Sequence, residues 1–306
     1  MSRRVDLHTH SSYSDGTSSP AEVVRRAKER GVELLVLSDH DTVSGYPEAE
    51  QEGLKIGQKV LCGIEINTGT EDRIHILGYG IDWRSKALAE RLELFRARRH
   101  KRVGLIVEKL QAQGVDLTLQ EVLGVSRQTL GRPHVADALR RRKVVGSRQE
   151  AFDRFLAKGA SAYVDPMGPS VQEAIETIRE AGGWASLAHP GLIRKPADLE
   201  RWAAWGLEAL EIYYPSHTAS VIRRLRETAD RFGLKATGGS DYHGPGTGRE
   251  ELGCVEIPEE DFEKIAERLV RNGPHDTAAG PDDEHPPAGR TLKQGSGLYD
   301  TAAGPD

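Results

Sequence analysis

Two histidines near the amino terminus have the residue type and the spacing of a metal-ligand pair. His8 and His10 lie on a predicted strand, and side chains two residues apart on a strand point to the same face. Their imidazoles can therefore share one metal ion, and a carboxylate, Asp15, follows at a predicted turn. A His-x-His pair is also common on surfaces and in cores, so its meaning depends on the rest of the chain.

Further His, Asp and Glu residues stand within later predicted strands or just beyond them. Glu65 and His75 each interrupt an apolar strand, where an unpaired charge costs on the order of several kcal/mol. A metal ion is the most economical partner for both. The candidate ligands are six imidazoles and three carboxylates: His8, His10, Asp15, His40, Glu65, His75, His189, Asp241 and His243.

This ligand set is too large for one ion. At roughly three to four protein ligands per ion, it fits two or three divalent ions. Nitrogen and oxygen donors without cysteine favour manganese, iron or zinc, and we expect manganese. Asp6, Asp39 and Asp41 are expected to accept the second N–H of a bound imidazole, because metal-bound histidines usually donate it to a carboxylate. Asp39 and Asp41 flank His40 and are alternative ligands.

The elements that must position these residues alternate between strand and helix. Strands are predicted at 5–8, 34–37, 60–66, 73–77, 184–188, 207–212 and 235–237, and most of them are followed by an amphipathic helix. This order predicts an α/β protein built around a closed parallel barrel. Active sites of such barrels gather at the carboxyl ends of the strands, so the candidate ligands should converge.

Charge and composition restrict the class of protein. The net charge is −5, but residues 84–160 carry 18 Lys and Arg against 8 Asp and Glu, so this helical segment is basic and the remainder is acidic. No apolar run approaches the ~20 residues of a membrane span. With two cysteines, Cys62 and Cys254, and no signal-like amino terminus, we expect a cytoplasmic protein without membrane association.

Taken together, the motifs over about residues 3 to 270 resemble those of the PHP (polymerase and histidinol phosphatase) metallophosphoesterases. The segment Gly131-Arg132-Pro133-His134, inside a helical insertion, makes the chain similar to one branch of this family. That branch acts on nucleotide 3′,5′-bisphosphates and on the 5′ ends of short RNAs. The motifs that carry the resemblance are His8-Thr9-His10, Ser38-Asp39-His40-Asp41, Glu65, His75, Ala188-His189-Pro190 and Ser240-Asp241-Tyr242-His243.

The resemblance implies a distorted (β/α)7 barrel with a trinuclear metal site. The barrel is expected from residues 1–83 and 161–271, with a small basic helical domain, 84–160, inserted as a lid. The Gly- and Pro-rich segment 272–306 is expected to be a disordered tail. The implied ligand groups are His8, His10, Glu65 and Asp241 for one ion, Glu65, His75 and His189 for a second, and Asp15, His40 and His243 for a third.

The implied activity is hydrolysis of a phosphate monoester by direct attack of a metal-held hydroxide. The chain has no Gly-x-Ser-x-Gly elbow or Walker loop that would suggest another nucleophile or a nucleotide cradle. Asp241 and His217 are the predicted catalytic residues. Arg132 is predicted to grip a phosphate, since a guanidinium binds it bidentately, and His134 and His217 to contact phosphate or protonate the leaving group.

Two alternatives remain at this stage. One is a phosphatase of a small metabolite such as histidinol phosphate, against which the basic insertion counts mildly. The other is a non-catalytic nucleic-acid-binding or polymerase-accessory module, against which the complete ligand set argues. In the preferred interpretation the partner is a small phosphorylated substrate, a nucleotide or short RNA, and no obligate protein partner is expected.

Overall fold

One curved sheet of eight strands forms a nearly closed barrel. The computed structural model describes residues 1–70, 74–124, 129–193 and 198–271. Within them the strands follow the order β7-β6-β5-β4-β3-β2-β1-β8, and a bridge between Thr9 and Tyr242 brings the first and last parts of the barrel together. The strands are β1 (Ser2–Thr9), β2 (Leu34–Leu37), β3 (Val60–Asn67), β4 (His75–Tyr79), β5 (Trp184–Leu187), β6 (Leu207–Tyr213), β7 (Lys235–Gly238) and β8 (Glu256–Pro258).

The barrel is not fully parallel, which corrects the expectation from the sequence. β4 runs antiparallel to both β3 and β5, and β8 runs antiparallel to β1. The seven residues between β3 and β4 are too few for a parallel crossover, which needs about a dozen or more. β8 was not predicted, because three residues ending in Pro258 give no readable alternation. The predicted seven strands are otherwise found with small shifts, and the mixed α/β barrel is confirmed.

Helices cover the outside of the barrel and fill the long connection after β4. α1 begins at a capping box, with Pro20 in the first turn. The Ser19 side chain accepts the backbone N–H of Glu22, and the Glu22 side chain accepts the backbone N–H of Ser19. None of the described helices is long and apolar enough to cross a membrane. The α-helices are α1 (Pro20–Glu29), α2 (Tyr46–Ile56), α3 (Lys86–Gln111), α4 (Leu119–Leu123), α5 (Arg132–Arg141), α6 (Arg148–Ala151), α7 (Val171–Glu180), α8 (Leu199–Trp205), α9 (Ala219–Phe232) and α10 (Glu259–Arg271).

The long helix α3 belongs to two hydrophobic cores. Leu88, Leu92 and Phe95 in its first half pack with residues of the barrel and its covering helices. Val103 and Ile106 in its second half pack into a separate core formed by α4, α5, α6 and the segment up to Ala162. The helical insertion therefore has a core of its own, carried on a helix that is rooted in the barrel. Its boundaries at 84 and 160 stay a prediction.

Two glycines lie where neighbouring strands of the barrel approach each other closely. A Cβ on Gly63 in β3 would lie 2.3 Å from the Val36 side chain, so the neighbouring strand requires a glycine there. A Cβ on Gly239, just after β7, would lie 2.4 Å from the Cβ of His8, so this glycine lets the end of β7 approach β1. The predicted tail, 272–306, lies outside the described residues.

Candidate metal centre

Strand ends bring the nine predicted ligands to one edge of the barrel. His8 lies at the end of β1 with His10 and Asp15 just after it, His40 follows β2, and Glu65 lies near the end of β3. His189 follows β5, and Asp241 and His243 follow β7. His75 is the first residue of β4 rather than the last. Because β4 runs in the opposite direction, its first residue lies at the same edge as the carboxyl ends of the other strands.

The ligand atoms fall into three groups that share members. In each group one atom from every residue lies within 4.8 Å of the others. His10 and Glu65 each belong to two groups, so the three positions adjoin one another. The groups are His8, His10, Glu65 and Asp241; Glu65, His75 and His189; and His10, Asp15, His40 and His243.

Glu65 is at the centre of this arrangement. Its Oε2 lies 3.1 Å from Nε2 of His8, 3.1 Å from Nε2 of His10 and 3.0 Å from Nδ1 of His40. Its Oε1 lies 2.7 Å from Nδ1 of His75 and 3.3 Å from Nε2 of His189. A carboxylate whose two oxygens face different sets of imidazoles has the geometry of a ligand that bridges two positions.

The third group is built around Asp15. Its Oδ1 lies 3.2 Å from Nε2 of His243, and its Oδ2 lies 3.8 Å from Nε2 of His40. Asp241 joins this side to the first group, since its Oδ1 lies 3.4 Å from Nε2 of His10 and 3.4 Å from Nδ1 of His243. The resemblance implied an ion for Asp15 different from that of His8 and His10; in the structure Asp15 is grouped apart from His8, but His10 belongs to both groups.

Several of these buried atoms lack a hydrogen-bond partner among the described residues. They approach one another closely but not with hydrogen-bond geometry. Buried polar groups in native proteins are nearly always satisfied, so a cluster of unsatisfied donor and acceptor atoms indicates a missing partner that all of them face. Cations bound by nitrogen and carboxylate oxygen fit this donor set. The unsatisfied ligand atoms are His8 Nε2, His10 Nε2, Asp15 Oδ1, Glu65 Oε2 and Asp241 Oδ1.

The electrostatics of the cluster keep its carboxylates ionised. Burial raises the pKa of Asp15, Glu65 and Asp241, but the neighbouring imidazoles and, for Asp241, the Arg249 guanidinium outweigh it and hold each pKa well below its usual value. Burial lowers the pKa of His40 well below its usual value, so this imidazole is neutral. Ionised carboxylates and neutral imidazoles are the protonation states that bind metal. Against the effect of burial, the same carboxylates raise the pKa of His8 and His10, so these two rings lose a proton when they bind a metal ion.

A residue that was not predicted, Glu211, supports the first group from behind. It lies in β6, is fully buried, and accepts a hydrogen bond from Nδ1 of His8 at 2.9 Å. Its other oxygen accepts the backbone N–H of His189 at 2.7 Å. In the neutral form of the His8 ring, the first contact places the proton on Nδ1 and the lone pair on Nε2, which faces Glu65 and Asp241. A signal was present in the sequence, because Leu210-Glu211-Ile212 interrupts an apolar strand as Ile64-Glu65-Ile66 does.

The three aspartates expected to orient imidazoles act on backbone and side chains instead. Asp6 accepts hydrogen bonds from the backbone N–H of Ser240 at 2.8 Å and of Gly253 at 2.7 Å. Asp39 accepts from Ser11 and from the Ser14 hydroxyl, which lies 3.5 Å from Nδ1 of His10. Asp41 pairs with Arg99. The predicted direct contacts to imidazoles were therefore wrong, and these carboxylates hold the loops that carry the ligands.

Backbone strain is concentrated at the same edge. Asp41, His189 and Asp241 have φ angles of 49°, 33° and 56°, which residues other than glycine rarely adopt. Such conformations cost on the order of 1–3 kcal/mol each and persist where the surrounding structure imposes them, commonly at functional sites. Here they let the chain turn directly at the end of a strand, so that the side chains of His189 and Asp241 point into the cluster.

Two arginines approach the cluster without being part of it. Arg99 of α3 donates to the Asp41 carboxylate and, at 3.0 Å, to the carbonyl of Leu130, and its buried Nη2 has no hydrogen-bond partner among the described residues. Arg249 is half exposed, and its Nη1 lies 2.5 Å from Oδ2 of Asp241, which also accepts from the Tyr214 hydroxyl at 2.9 Å. Arg99 belongs to the basic run Arg98-Arg99-His100-Lys101-Arg102 of α3.

The predicted substrate residues have contacts of their own. Arg132 donates to the carbonyl of Leu156 at 3.2 Å and lies over the Phe152 ring, both within the insertion. His134 accepts from Gly131 N–H through Nδ1, and its Nε2 lies 3.0 Å from the carbonyl of Ser14. Their roles in substrate binding stay predictions.

His217, the predicted proton donor, is also engaged at both ring nitrogens. Its Nδ1 lies 2.9 Å from the carbonyl of Ile212, and its Nε2 accepts the backbone N–H of Gly191 at 3.2 Å. Burial lowers its pKa. These contacts give the ring a role in holding the loop after His189, and its participation in proton transfer stays a prediction.

Comparison with known proteins places the chain among metal-dependent phosphoesterases. A 5′-3′ exoribonuclease of Haemophilus influenzae is 36% identical over 251 residues, 80% of this chain and 92% of the relative. A 3′,5′-nucleoside bisphosphate phosphatase of Chromobacterium violaceum is 34% identical over 260 residues, 82% of this chain and 91% of the relative. A phosphoribosyl 1,2-cyclic phosphate 1,2-diphosphodiesterase of Eggerthella lenta is 33% identical over 250 residues, 78% of this chain and 94% of the relative.

A solved structure and a family model agree with these relatives. A candidate metal-dependent phosphoesterase from Bifidobacterium adolescentis superposes with a TM-score of 0.79 at 32% identity, covering 87% of this chain and 96% of the other. The model of the PHP domain matches residues 6–158, which contain six of the nine predicted ligands. On this family match and on identities above 30% across most of its length, the chain belongs to the PHP domain family.

Proposed function

We propose that this protein is a metal-dependent phosphoesterase that hydrolyses phosphate esters of a nucleotide 3′,5′-bisphosphate or at the 5′ end of short RNA. The observation that carries the proposal is the set of three buried ligand groups that share His10 and Glu65. The activities of the exoribonuclease and bisphosphate phosphatase relatives support the choice of substrate. A non-catalytic binding module has no use for so complete a buried ligand set.

The unsatisfied atoms of the cluster fit two or three divalent ions, and we propose manganese, with iron or zinc as alternatives. Bound there, such ions would neutralise phosphoryl oxygens and would activate water as the nucleophile for hydrolysis. The chain contributes the ionised carboxylates of Asp15, Glu65 and Asp241 and holds them in place. The Glu211 carboxylate and the Tyr214 hydroxyl orient His8 and Asp241 for this role.

Arg99 and Arg249 are proposed to bind the phosphate that reacts. Each guanidinium is anchored at one end by a carboxylate of the cluster or its support, Asp41 and Asp241. Each guanidinium also has N–H groups beyond those the anchoring carboxylate uses, and for Arg99 this includes a buried Nη2 with no partner among the described residues. A guanidinium held in this way can donate hydrogen bonds to a phosphate oxygen with little further loss of side-chain freedom. We assign His134 and His217 to positioning, because both rings are already hydrogen-bonded at two nitrogens.

We propose a cytoplasmic location. Cys62 and Cys254 are free thiols in the structure, which fits a reducing compartment.

A phosphate-release screen tests the proposed function. The purified protein is incubated with manganese and adenosine 3′,5′-bisphosphate, a 5′-phosphorylated oligoribonucleotide, histidinol phosphate or a ribose 1,2-cyclic phosphate. Release from the first two substrates that is abolished by a chelator is expected. Faster phosphate release from histidinol phosphate or from the cyclic phosphate would show that the proposed substrate class is wrong. No phosphate release from any of the four compounds would refute the proposed enzymatic activity.

The same assay separates the two kinds of arginine. Arg99→Lys keeps a positive charge beside Asp41 but loses the fork, so it should lower kcat/KM about 10-fold or more for every phosphate ester, including a simple aryl phosphate. Arg132→Ala should raise KM for a bisphosphate and leave the aryl phosphate nearly unchanged. Equal effects of Arg132→Ala on both substrates would remove Arg132 from substrate selection.

A further inference from the structure

A second feature of the surface lies beside the metal centre and has no role in the chemistry described so far. It is a cleft of about 810 Å³ between the end of α5 with the loop that follows it and two loops of the barrel edge. Its walls carry Arg140, Arg141, Lys143 and Arg148 on one side. Thr17, Pro245 and Gly246 form the other side.

The cleft is strongly basic in a protein of net negative charge. Among its lining residues one carboxylate, Asp137, faces the four cations. Arg148 binds that carboxylate through two contacts of 2.8 and 2.5 Å, and Arg140 lies 3.5 Å from it. Arg141 and Lys143 are exposed, and neither has an ion pair with any described residue. The uncompensated charge of the cleft therefore rests mainly on Arg141 and Lys143.

The barrel wall of the cleft is continuous with one ligand group of the metal centre. Thr17, two residues beyond Asp15, donates its backbone N–H to the carbonyl of His243 at 2.7 Å. Its hydroxyl lies 3.3 Å from that carbonyl and 3.3 Å from the carbonyl of Pro245. The loops that carry Asp15 and His243 into the cluster thus also form the edge of the cleft. The cleft and this ligand group therefore share the same two loops.

We propose that this cleft binds the phosphodiester backbone of a single-stranded oligoribonucleotide whose terminal phosphate lies at the metal centre. The inference rests on the proposed function and extends it, since it gives the protein a reason to prefer an RNA chain over a mononucleotide. Lysine and arginine along a groove are the usual means of following a nucleic-acid backbone, and the volume is in the range of clefts that hold small ligands.

The residues that line the cleft also indicate that it does not recognise the bases of the RNA. It contains no aromatic side chain, so it offers no ring on which a base could stack, and its arginines act here through their charge. Recognition through phosphates alone is independent of sequence and weakens as salt rises. We therefore expect the protein to accept short RNA of any sequence, with an affinity that falls with ionic strength.

The test compares two double variants that remove the same charge. Arg141→Ala with Lys143→Ala removes the two unpaired cations of the cleft. Lys101→Ala with Lys158→Ala removes two exposed lysines of the insertion that do not line it. For each protein, kcat/KM is measured with a 5′-phosphorylated tetraribonucleotide, adenosine 3′,5′-bisphosphate and p-nitrophenyl phosphate between 0.05 and 0.5 M salt.

The loss expected of the cleft variant can be worked out from counterion release. For a single strand, each phosphate contact contributes roughly 0.7 to the slope of log affinity against log salt concentration. Two contacts therefore contribute about 1.4, which corresponds to about a 25-fold difference in affinity between roughly 1 M and 0.1 M salt. The cleft variant should lose about this factor with the tetranucleotide, with a salt slope smaller by about 1.4, and should stay within about twofold for p-nitrophenyl phosphate. The control variant should match the wild type throughout.

Other outcomes would overturn the inference in identifiable ways. Equal losses for the tetranucleotide and the bisphosphate would mean that the cleft holds the second phosphate of a mononucleotide rather than an RNA backbone. An equal loss of kcat/KM in the control variant would show that the net charge of the protein, and not the cleft, causes the effect. Binding of a fluorescent tetraribonucleotide to the metal-free variants gives a readout that does not depend on catalysis, so a wild type without phosphatase activity would refute the proposed function while the cleft could still be tested.

Discussion

Glu211 offers the most direct test of how the barrel prepares the metal centre. It is fully buried and accepts two hydrogen bonds, one from the His8 ring and one from the backbone of His189. When the His8 ring is neutral, as metal binding requires, the first hydrogen bond selects the tautomer with the lone pair on Nε2. The substitution Glu211→Gln keeps the size of the side chain but provides one acceptor and one NH2 group. Whichever way the amide turns, its NH2 group meets one of the two sites where a donor already stands.

Both orientations of this glutamine weaken metal binding. If the NH2 group faces His8, the ring must carry its proton on Nε2, where it cannot bind a metal ion. If it faces His189, two N–H groups meet in a fully buried place, which costs about 1–3 kcal/mol and displaces the turn that holds His189. Substitution of such supporting residues commonly lowers metal affinity or activity about 10- to 100-fold, equivalent to about 1.4–2.8 kcal/mol. We expect a loss in this range at the group that contains His8.

The assay is competition with a chelating dye for manganese, together with kcat/KM and thermal unfolding of the metal-free protein. The matched control is Glu208→Gln on the same strand, because Glu208 pairs with Arg268 at the surface. The control should bind metal as the wild type does. Unchanged metal affinity and activity in Glu211→Gln would refute the reasoning, since it would mean that the His8 tautomer is not set by this carboxylate.

Two further predictions concern protonation and packing. Burial lowers the pKa of His10, but the Asp241 and Glu65 carboxylates outweigh it and raise the pKa to about 9 in the metal-free protein. Metal binding at pH 7–8 should therefore release a proton from this ring. The apparent metal affinity should rise with pH until about 9. Calorimetry in two buffers of different ionisation enthalpy measures this release, and its absence would contradict the assigned charge state. Gly63→Ala should destabilise the metal-bound protein by about 1–3 kcal/mol in urea unfolding, because its Cβ would meet Val36. Gly104→Ala in the open middle of α3 should instead stabilise it by about 0.5–1 kcal/mol; equal effects would show that backbone propensity, and not packing, decides both.

Much of the candidate site was predictable because strand ends in a barrel converge. A sequence that puts His, Asp or Glu at the end of strand after strand permits few arrangements other than a shared site. Glu211 was equally predictable by the criterion that selected Glu65, a carboxylate inside an apolar strand, and it was overlooked. The direction of β4 could also have been inferred, since its short connection to β3 excludes a parallel crossover.

Arg99 shows what helical periodicity adds to a basic run. Phe95, Arg99 and Val103 are spaced by four residues, so Arg99 occupies a place on the apolar stripe of α3. The stripe indicates that its side chain faces inward, although its neighbours in the run are charged. What the sequence could not supply is the partner, because the pairing of Arg99 with Asp41 depends on how α3 crosses the barrel. The contacts of Arg132 and His134 were unpredictable for the same reason.

The way α3 crosses the barrel also changes the interpretation of the insertion as a lid. Arg99 lies between the two cores of this helix and joins the barrel, through Asp41, to the insertion, through the carbonyl of Leu130. Two more contacts tie the insertion to the loop before Asp15: Thr129 donates to the carbonyl of Tyr13 at 3.1 Å, and His134 lies 3.0 Å from that of Ser14.

These contacts hold the insertion against the loop that carries Asp15. To open it would require breaking buried hydrogen bonds at the very loop that positions Asp15, each worth about 1 kcal/mol. The basic cleft between the end of α5 and Thr17 borders this same loop, and its four cations suit a negatively charged strand. In this arrangement the preference for a substrate and the retention of the metal ions depend on the same loop.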